Sequence, residues 1–144
     1  MFGHFLTWMQ ETQSPVLVMA TANNISELPP EFMRAGRFDA MFFVDIPTSD
    51  ERTQIIHIMN NRYSSDIPQD FVENLQGWTG AEIEQLAKDS LFDGLQAAFE
   101  SIVPLSRTMK EDITALREWA KTRARKANAP DKDDQIPKIR RIRE

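Results

Sequence analysis

The apolar pattern of this chain changes at Pro47, and this change limits the possible folds more than any other feature of the sequence. Before Pro47, continuous apolar runs at residues 16–20 and 41–46 are typical of strands buried on both faces of a parallel sheet. After Pro47, apolar residues recur at three- and four-residue steps, as in helices that bury one face. The pattern therefore predicts part of an α/β sheet followed by an all-α helical bundle.

Three helix starts after Pro47 are marked by a threonine that a glutamate follows three residues later, at Thr48, Thr79 and Thr108. In such a capping box the threonine side chain accepts from the third helical N–H, and the glutamate accepts from the threonine N–H. Helices are therefore predicted to begin after Thr48 and after Thr79. The apolar positions expected to face inward, including those of a last helix, are Ile55, Ile56, Ile58, Met59, Ile83, Leu86, Ala87, Leu91, Leu95, Ala98, Phe99, Ile113, Leu116, Trp119 and Ala120.

Glycine and proline set most of the remaining helix boundaries. The helix after Thr48 is predicted to run to about Arg62, and the helix after Thr79 to continue unbroken as far as Pro104. A shorter helix at residues 69–75 is stopped by Gly77. A last helix is predicted to start with the capping box at Thr108 and to run into the C-terminal arm.

Residues 2–11 have the spacing of a helix with a broad apolar face. An amphipathic helix with this much apolar surface needs another surface to pack on. We therefore expect that the natural beginning of the protein lies upstream of Met1.

Two arginines flank a glycine in the stretch at residues 28–39. Pro30 can open a short helix, because its missing N–H is no loss at the first helical position, and Gly36 can end it. Arg34 and Arg37 then lie at a helix end. Arginine offers a planar fork of donors that suits a carboxylate or a phosphate with developing negative charge. From the residues alone, surface salt bridges are the favoured interpretation, because most charged residues lie in solvated positions.

Asn23 follows the predicted strand at residues 16–20. Ligands of open α/β sheets bind at the carboxyl ends of the strands, where an amide can orient a water or a phosphate oxygen. The alternative is that Asn23 and Asn24 simply turn the chain, as asparagines often do.

Composition excludes several classes of site. The sequence has no cysteine, so it forms no disulfide and no thiolate metal site, and the isolated His4 and His57 predict no metal site. No run approaches the roughly 18 apolar residues of a membrane span, and the N-terminus lacks the pattern of a signal peptide. We therefore expect no membrane association and a location in the cytoplasm.

Charge is distributed unevenly along the chain. The net charge is −5, but from Lys121 onward nine Lys or Arg stand against four Asp or Glu, which leaves −10 for the first 120 residues. Residues 128–144 are predicted to be a basic, partly disordered tail. Aromatic residues are absent from that tail, so binding to nucleic acid is not expected.

Three motifs resemble those of the AAA+ ATPases. Residues 28–39, Leu-Pro-Pro-Glu-Phe-Met-Arg-Ala-Gly-Arg-Phe-Asp, are similar to the segment that carries the arginine fingers. Residues 16–23, Val-Leu-Val-Met-Ala-Thr-Ala-Asn, resemble the strand that ends in the sensor-1 asparagine, and residues 77–84 resemble the lid motif. Residues 5–11 and 103–120 further resemble an AAA branch of cyanobacteria and chloroplast genomes, which would place the protein in the chloroplast stroma if it is plastid-encoded.

The resemblance assigns roles to six residues. It implies that Asn23 orients the attacking water and that Arg34 and Arg37 reach the γ-phosphate bound by a neighbouring subunit. Three further positions would contact adenine and ribose; these are Ile55, Gly80 and Ala81. One departure is that Met59 stands where the family often has a histidine, while His57 lies two positions earlier.

The resemblance also implies a division of the chain. Residues 1–47 would be the C-terminal strands of the parallel P-loop-type sheet in the large α/β subdomain. Residues 48–127 would be the helical lid with its C-terminal helix, and residues 128–144 the tail.

The phosphate-binding part of an ATPase is missing from this sequence. No Gly-x-x-x-x-Gly-Lys-Ser/Thr loop occurs, and no strand ends in paired acids that could hold Mg²⁺. The complete module would use ATP and Mg²⁺, whereas this chain alone is not expected to bind or hydrolyse ATP efficiently. Two hypotheses follow. The chain is either the finger, sensor and lid portion of an oligomeric ATPase that remodels a macromolecule, partnered by its missing half, or a nucleotide-independent helical interaction module.

Overall fold

The structure, a computed structural model, describes residues 2–25, 27–34 and 37–128, and for Phe2 and Met33 it describes the backbone alone. The described part is mostly helical and contains a two-stranded parallel sheet, as the predicted fold class requires in outline. Short 3-10 helices cover Pro30–Met33 and Gln69–Leu75. The other elements are α1 (Phe2–Glu11), β1 (Phe42–Phe43), α2 (Ser49–Tyr63), α3 (Gly80–Asp93), α4 (Leu95–Ser101), α5 (Leu105–Thr108), α6 (Lys110–Arg123) and β2 (Arg125–Lys126).

The main core lies among α2, the 3-10 helix at Gln69–Leu75, α3 and α4, which together we call the helical bundle. Its centre is Trp78, whose ring stacks on Phe99 with 5.2 Å between centroids. Ile58 and Leu91 were predicted to face inward and are instead 55% and 50% exposed. The residues of this core are Ile56, Ile67, Val72, Leu75, Trp78, Ile83, Leu86, Ala87 and Ala98.

Two of the three predicted capping boxes are present. Thr48 Oγ1 accepts from Glu51 N, and Thr79 Oγ1 accepts from Glu82 N, each at 3.4 Å. The third is wrong, because α6 begins after Met109 without a side-chain cap and Thr108 Oγ1 donates to Leu105 O instead. A short helix, α5, occupies the residues before it, so Thr108 is already helical and cannot adopt the extended conformation of an N-cap.

This difference gives a matched pair of substitutions. Thr79→Ala should lower the free energy of unfolding by about 1 kcal/mol, because it removes the acceptor for the first turn of α3. Thr108→Ala should change it by less than about 0.5 kcal/mol, because no cap is lost. Urea unfolding of the two variants beside the parent chain measures both values, and equal losses would contradict the observed capping.

The predicted unbroken helix from Thr79 to Pro104 is interrupted at Gly94. Gly94 has φ +80°, a conformation that favours glycine, and it separates α3 from α4. The break lets α4 fold back on α3, so that Ala98 and Ile83 enter the same core. Ser101 ends α4, and Pro104 precedes α5.

The strand predicted at residues 16–20 is wrong. These residues have no regular secondary structure, and Leu17 and Met19 are 88% and 85% exposed. A strand forms only when a neighbour satisfies its N–H and C=O groups, and within the described ranges no strand pairs with this segment. The apolar run identified a segment suited to a sheet but could not supply the partner.

The run at residues 41–46 forms a shorter strand than predicted. β1 pairs in parallel with β2, with Arg125 N donating to Met41 O and Ala127 N to Phe43 O, both at 2.9 Å. Phe42 and Val44 are 63% and 75% exposed, so the strand is not buried on both faces. β2 itself was not predicted, since its sequence is strongly basic and follows directly on a helix.

Candidate functional site

The two candidate finger arginines differ in their surroundings. Pro30 opens a 3-10 helix as predicted, and the helix ends at Met33. The next residue, Arg34, is exposed and has extended backbone angles. Arg37 is half-buried, and its Nη1 donates to Glu31 O at 2.8 Å. The predicted stop at Gly36 lies outside the described residues. Arg34 is thus open to a charged group from outside the chain, while Arg37 is held against the end of the 3-10 helix.

Aromatic stacking fixes this segment on α1. The Phe32 ring lies between Phe5 and Phe38, each 6.2 Å away between centroids, and Phe5 also stacks on Trp8. Phe32 is buried, and Phe38 directly follows Arg37. The apolar face of α1 therefore has a packing surface within this chain, and the stack sets the position from which Arg37 extends.

Asn23 lies in a bend and is exposed. The strand that was expected to precede it is absent from the described segment, so the structure does not place Asn23 at the carboxyl end of a strand. The neighbouring Asn24 donates from Nδ2 to Glu27 Oε1 at 2.9 Å, an interaction that stabilises the turn.

The structure brings two of the three candidate nucleotide contacts together. Gly80 is the first residue of α3, and a Cβ built on it would lie 3.8 Å from Ile55 Cδ1 of α2, with no other nearby atom of the described residues within 4 Å. Gly80 thus presents bare backbone beside the half-buried side chain of Ile55. Ala81 is exposed next to it. In the described ranges, no hydrogen bond or ion pair links Asn23, Arg34 or Arg37 to this pair.

A polar cluster on the bundle surface holds α2 against α3. Glu84 accepts from the Tyr63 hydroxyl and from Lys88 Nζ, the latter at 2.9 Å. The hydrogen bond from Tyr63, followed by that from Lys88, lowers the pKa of Glu84. A lowered carboxyl pKa means that the stabilisation is present above the ordinary carboxyl range and is lost as pH falls through the folded-state value.

The position where the family often has histidine is apolar here. Met59 is half-buried against the core of the helical bundle. His57 is exposed, and its Nε2 lies 3.1 Å from Asn61 Nδ2. His57 therefore does not take the place that Met59 leaves.

The described residues form no cluster of magnesium ligands. Within those ranges no three His, Asp or Glu residues lie close enough together to hold a metal ion. The Ile55 and Gly80 pair has no charged side chain that could bind a phosphate. Also within those ranges, no helix is long and apolar enough to cross a membrane.

Sequence reasoning missed a polar site around Asp45, which has hydrogen bonds to two distant residues. The Asp45 carboxylate accepts from Arg117 Nε at 2.9 Å and from Arg117 Nη2 at 2.8 Å. Asn128 Oδ1 accepts from Asp45 N at 2.6 Å. Partners more than 70 positions away leave no local pattern, so only the charge of Asp45 after a strand signalled its importance. A separate cleft of about 330 Å³ lies between residues 38–41 and 121–125.

Comparison with known proteins gives one family match and several relatives. Residues 1–46 match the family described as "ATPase family associated with various cellular activities (AAA)". The "uncharacterized AAA domain-containing protein ycf46" of Pyropia yezoensis is 39% identical over 135 residues, covering 83% of this chain and 27% of the relative. The protein of that name in Guillardia theta is 38% identical over 140 residues, with the same coverage of 83% and 27%.

More distant relatives have broader names. The "ATP-dependent zinc metalloprotease FtsH" of Karelsulcia muelleri is 32% identical over 82 residues, covering 55% of this chain and 13% of the relative. No solved structure matches the chain significantly. The chain spans about a quarter of the length of the first of these curated relatives, 27% in each case.

Proposed function

Because this chain belongs to the AAA family of ATPases, in the branch of the ycf46 proteins, we propose that it supplies the arginine fingers, sensor asparagine and lid of an ATP-hydrolysing assembly. The observation that best supports this proposal is the position of Ile55 Cδ1, which lies 3.8 Å from where a Cβ on Gly80 would be. These residues are 25 positions apart in the sequence, and the resemblance assigns both of them to the adenine and ribose of the nucleotide.

Each residue has a task in the proposed assembly. Ile55, Gly80 and Ala81 would hold adenine and ribose against the helical bundle. Arg34, which is exposed, would extend toward the γ-phosphate in a neighbouring subunit, while Arg37 would first exchange its bond to Glu31 O for one to that phosphate. Asn23 would orient the attacking water. ATP with Mg²⁺ supplies the phosphoanhydride bond that is broken, and residues outside this chain would hold the metal.

The proposed partners follow from fingers that act between subunits. Such fingers require an assembly, so we propose a homo-oligomer that includes a phosphate-binding part beyond this chain. Its work would be to remodel a macromolecule. The cytoplasm, or the stroma in a plastid-bearing source, is the proposed location.

The direct test is a chimera in which this chain replaces the matching region of the Pyropia yezoensis relative. The chimera should hydrolyse ATP, whereas the 144-residue chain alone should bind ATP at best at millimolar concentration, a binding free energy of about −4 kcal/mol. Steady-state kinetics and calorimetry measure the two. An inactive chimera beside an active unaltered relative would favour the helical interaction module.

Gly80 offers a graded test of the base contact. Gly80→Val should raise the KM for ATP of the chimera by about tenfold, because the branched side chain fills the space in front of Ile55, a loss of about 1.4 kcal/mol. Gly80→Ala should change it little, since its Cβ would make an ordinary contact at 3.8 Å. Equal KM values for all three proteins would contradict the assignment of this pair to nucleotide.

A further inference from the structure

The joint between β1 and α2, residues 45–48, carries more long-range polar contacts than its sequence suggests. Asp45 receives the forked ion pair from Arg117 on α6, with 2.9 Å and 2.8 Å donor distances. Isolated surface ion pairs contribute little to stability, but a forked pair within a network is the exception. The Asp45 side chain is 22% exposed, so solvent screens this pair only in part.

Asn128 connects this ion pair to the start of the helical bundle. Its Oδ1 accepts from Asp45 N at 2.6 Å, and its Nδ2 donates to Asp45 O at 3.3 Å and to Glu51 Oε2 at 2.8 Å. The same Glu51 oxygen accepts from Thr48 N at 2.8 Å in the capping box of α2. One asparagine side chain thus satisfies both the end of β1 and the first turn of α2.

A glutamate of a second capping box attaches the start of residues 105–128 to the helical bundle. Leu105 N, at the start of α5, donates to Glu82 Oε1 at 2.5 Å, and Glu82 Oε2 accepts from Thr79 N in the capping box of α3. Both capping-box glutamates therefore accept a second bond from residues 105–128. Gly80, whose missing Cβ would face Ile55, lies two residues before Glu82.

We propose that residues 105–128 form a C-terminal clamp that fixes the helical bundle relative to β1, with Arg117 and Asn128 as positioning residues for ATP hydrolysis. The clamp spans from the start of α3 to the joint, and its β2 completes the attachment by pairing with β1. The candidate fingers precede β1, and the candidate base contacts lie on α2 and α3. Fixing the joint fixes the angle between these two groups. The catalytic part of this inference rests on the proposed function.

The clamp can be tested on the 144-residue chain, which has no cysteine of its own. Spin labels are attached at Val44→Cys, directly after β1, and at Ala97→Cys on α4, both exposed positions. Double electron–electron resonance then measures the distance between the two labels. Arg117→Ala with Asn128→Ala should at least double the width of the distance distribution. The amides of Asp45 and Thr48 should exchange with deuterium about tenfold faster, as expected when such hydrogen bonds are lost.

Two further variants separate the clamp from general stability. Arg107→Ala removes an exposed arginine from α5 and should leave the distribution unchanged. Arg117→Lys keeps the charge without the fork and should restore part of the narrow distribution. An unchanged distribution in the double variant overturns the clamp, whether or not the chimera hydrolyses ATP.

The effect of the clamp on ATP hydrolysis is measured in the chimera. Asn128→Ala should lower kcat for ATP by about tenfold with little change in KM, since misplacement weakens transition-state alignment more than ground-state binding. A broadened distance with unchanged kcat overturns the positioning role. If the unsubstituted chimera is inactive, the proposed function fails, and the distance measurement alone then decides whether the clamp exists.

Discussion

Replacing Arg34 with alanine in the chimera is expected to lower ATP turnover by about 10³-fold or more, equivalent to roughly 4 kcal/mol of activation free energy. Arg34 is exposed at the end of the 3-10 helix, where it can meet charge that develops on a neighbour's phosphate. Nucleotide affinity should stay nearly unchanged, because the arginine acts on the transition state. Single-turnover kinetics and nucleotide titration measure the two effects separately.

Arg37→Ala is expected to have a similar effect on turnover with an added structural change. Its guanidinium now bonds to Glu31 O at 2.8 Å, so its removal also frees the end of the 3-10 helix. Lysine should rescue either position poorly, because a point charge cannot reproduce the fork of donors. Arg107→Ala, an exposed arginine on α5, is the matched control and should retain turnover.

Mixed assemblies decide whether the fingers act between subunits. A subunit with alanine at Arg34 and Arg37 should still hydrolyse ATP in its own pocket when an unaltered neighbour supplies the arginines. If that subunit loses hydrolysis in its own pocket and gains nothing from the neighbour, the arginines act within their own chain or only hold the fold. The assignment of the fingers to the neighbour's phosphate would then be wrong.

Trp78→Ala is expected to have the largest effect on stability, about 3–5 kcal/mol. Trp78 is 2% exposed, stacks on Phe99 and belongs to the core that joins α2, α3 and α4. Domains of this size have only about 5–15 kcal/mol of stability in total, so the variant should be close to unfolding at room temperature. Urea denaturation followed by far-ultraviolet circular dichroism measures the loss.

Phe92 provides the matched control for the aromatic substitution. It lies on α3 and is 86% exposed, so Phe92→Ala should change the free energy of unfolding by less than about 0.5 kcal/mol. Similar losses for the two variants would mean that the core of the helical bundle is not centred on Trp78.

Helix starts in the bundle could be predicted because their causes are local. The threonine and glutamate of each capping box lie within one turn, and both boxes at Thr48 and Thr79 form. The third pattern, at Thr108, failed because α5 already occupies that residue. The break at Gly94 was missed because periodic apolar residues continue on both sides of it, and glycine can also remain within a helix at modest cost.

In the candidate site, too, local motifs could be predicted from the sequence, whereas contacts that depend on the tertiary structure could not. The sequence located Arg34, Arg37, Ile55 and Gly80 through motifs, and the proximity of Ile55 to Gly80 is consistent with their shared assignment. It gave no sign that Arg37 would bond to Glu31 O, because that bond depends on how the chain turns after the 3-10 helix. The roles of these residues in hydrolysis remain predictions for the chimera to test.

By itself, the sequence determined where α2 and α3 begin and, apart from Ile58 and Leu91, which apolar residues of the helical bundle face its core, since capping and helical periodicity act within a few residues. The tertiary structure alone decided the pairing of β1 with β2 and the attachment of Asp45 to Arg117 and Asn128. These contacts join residues more than 70 positions apart. These contacts form because α5 and α6 lead the chain from the start of α3 to β1. No short-range sequence pattern specifies that path.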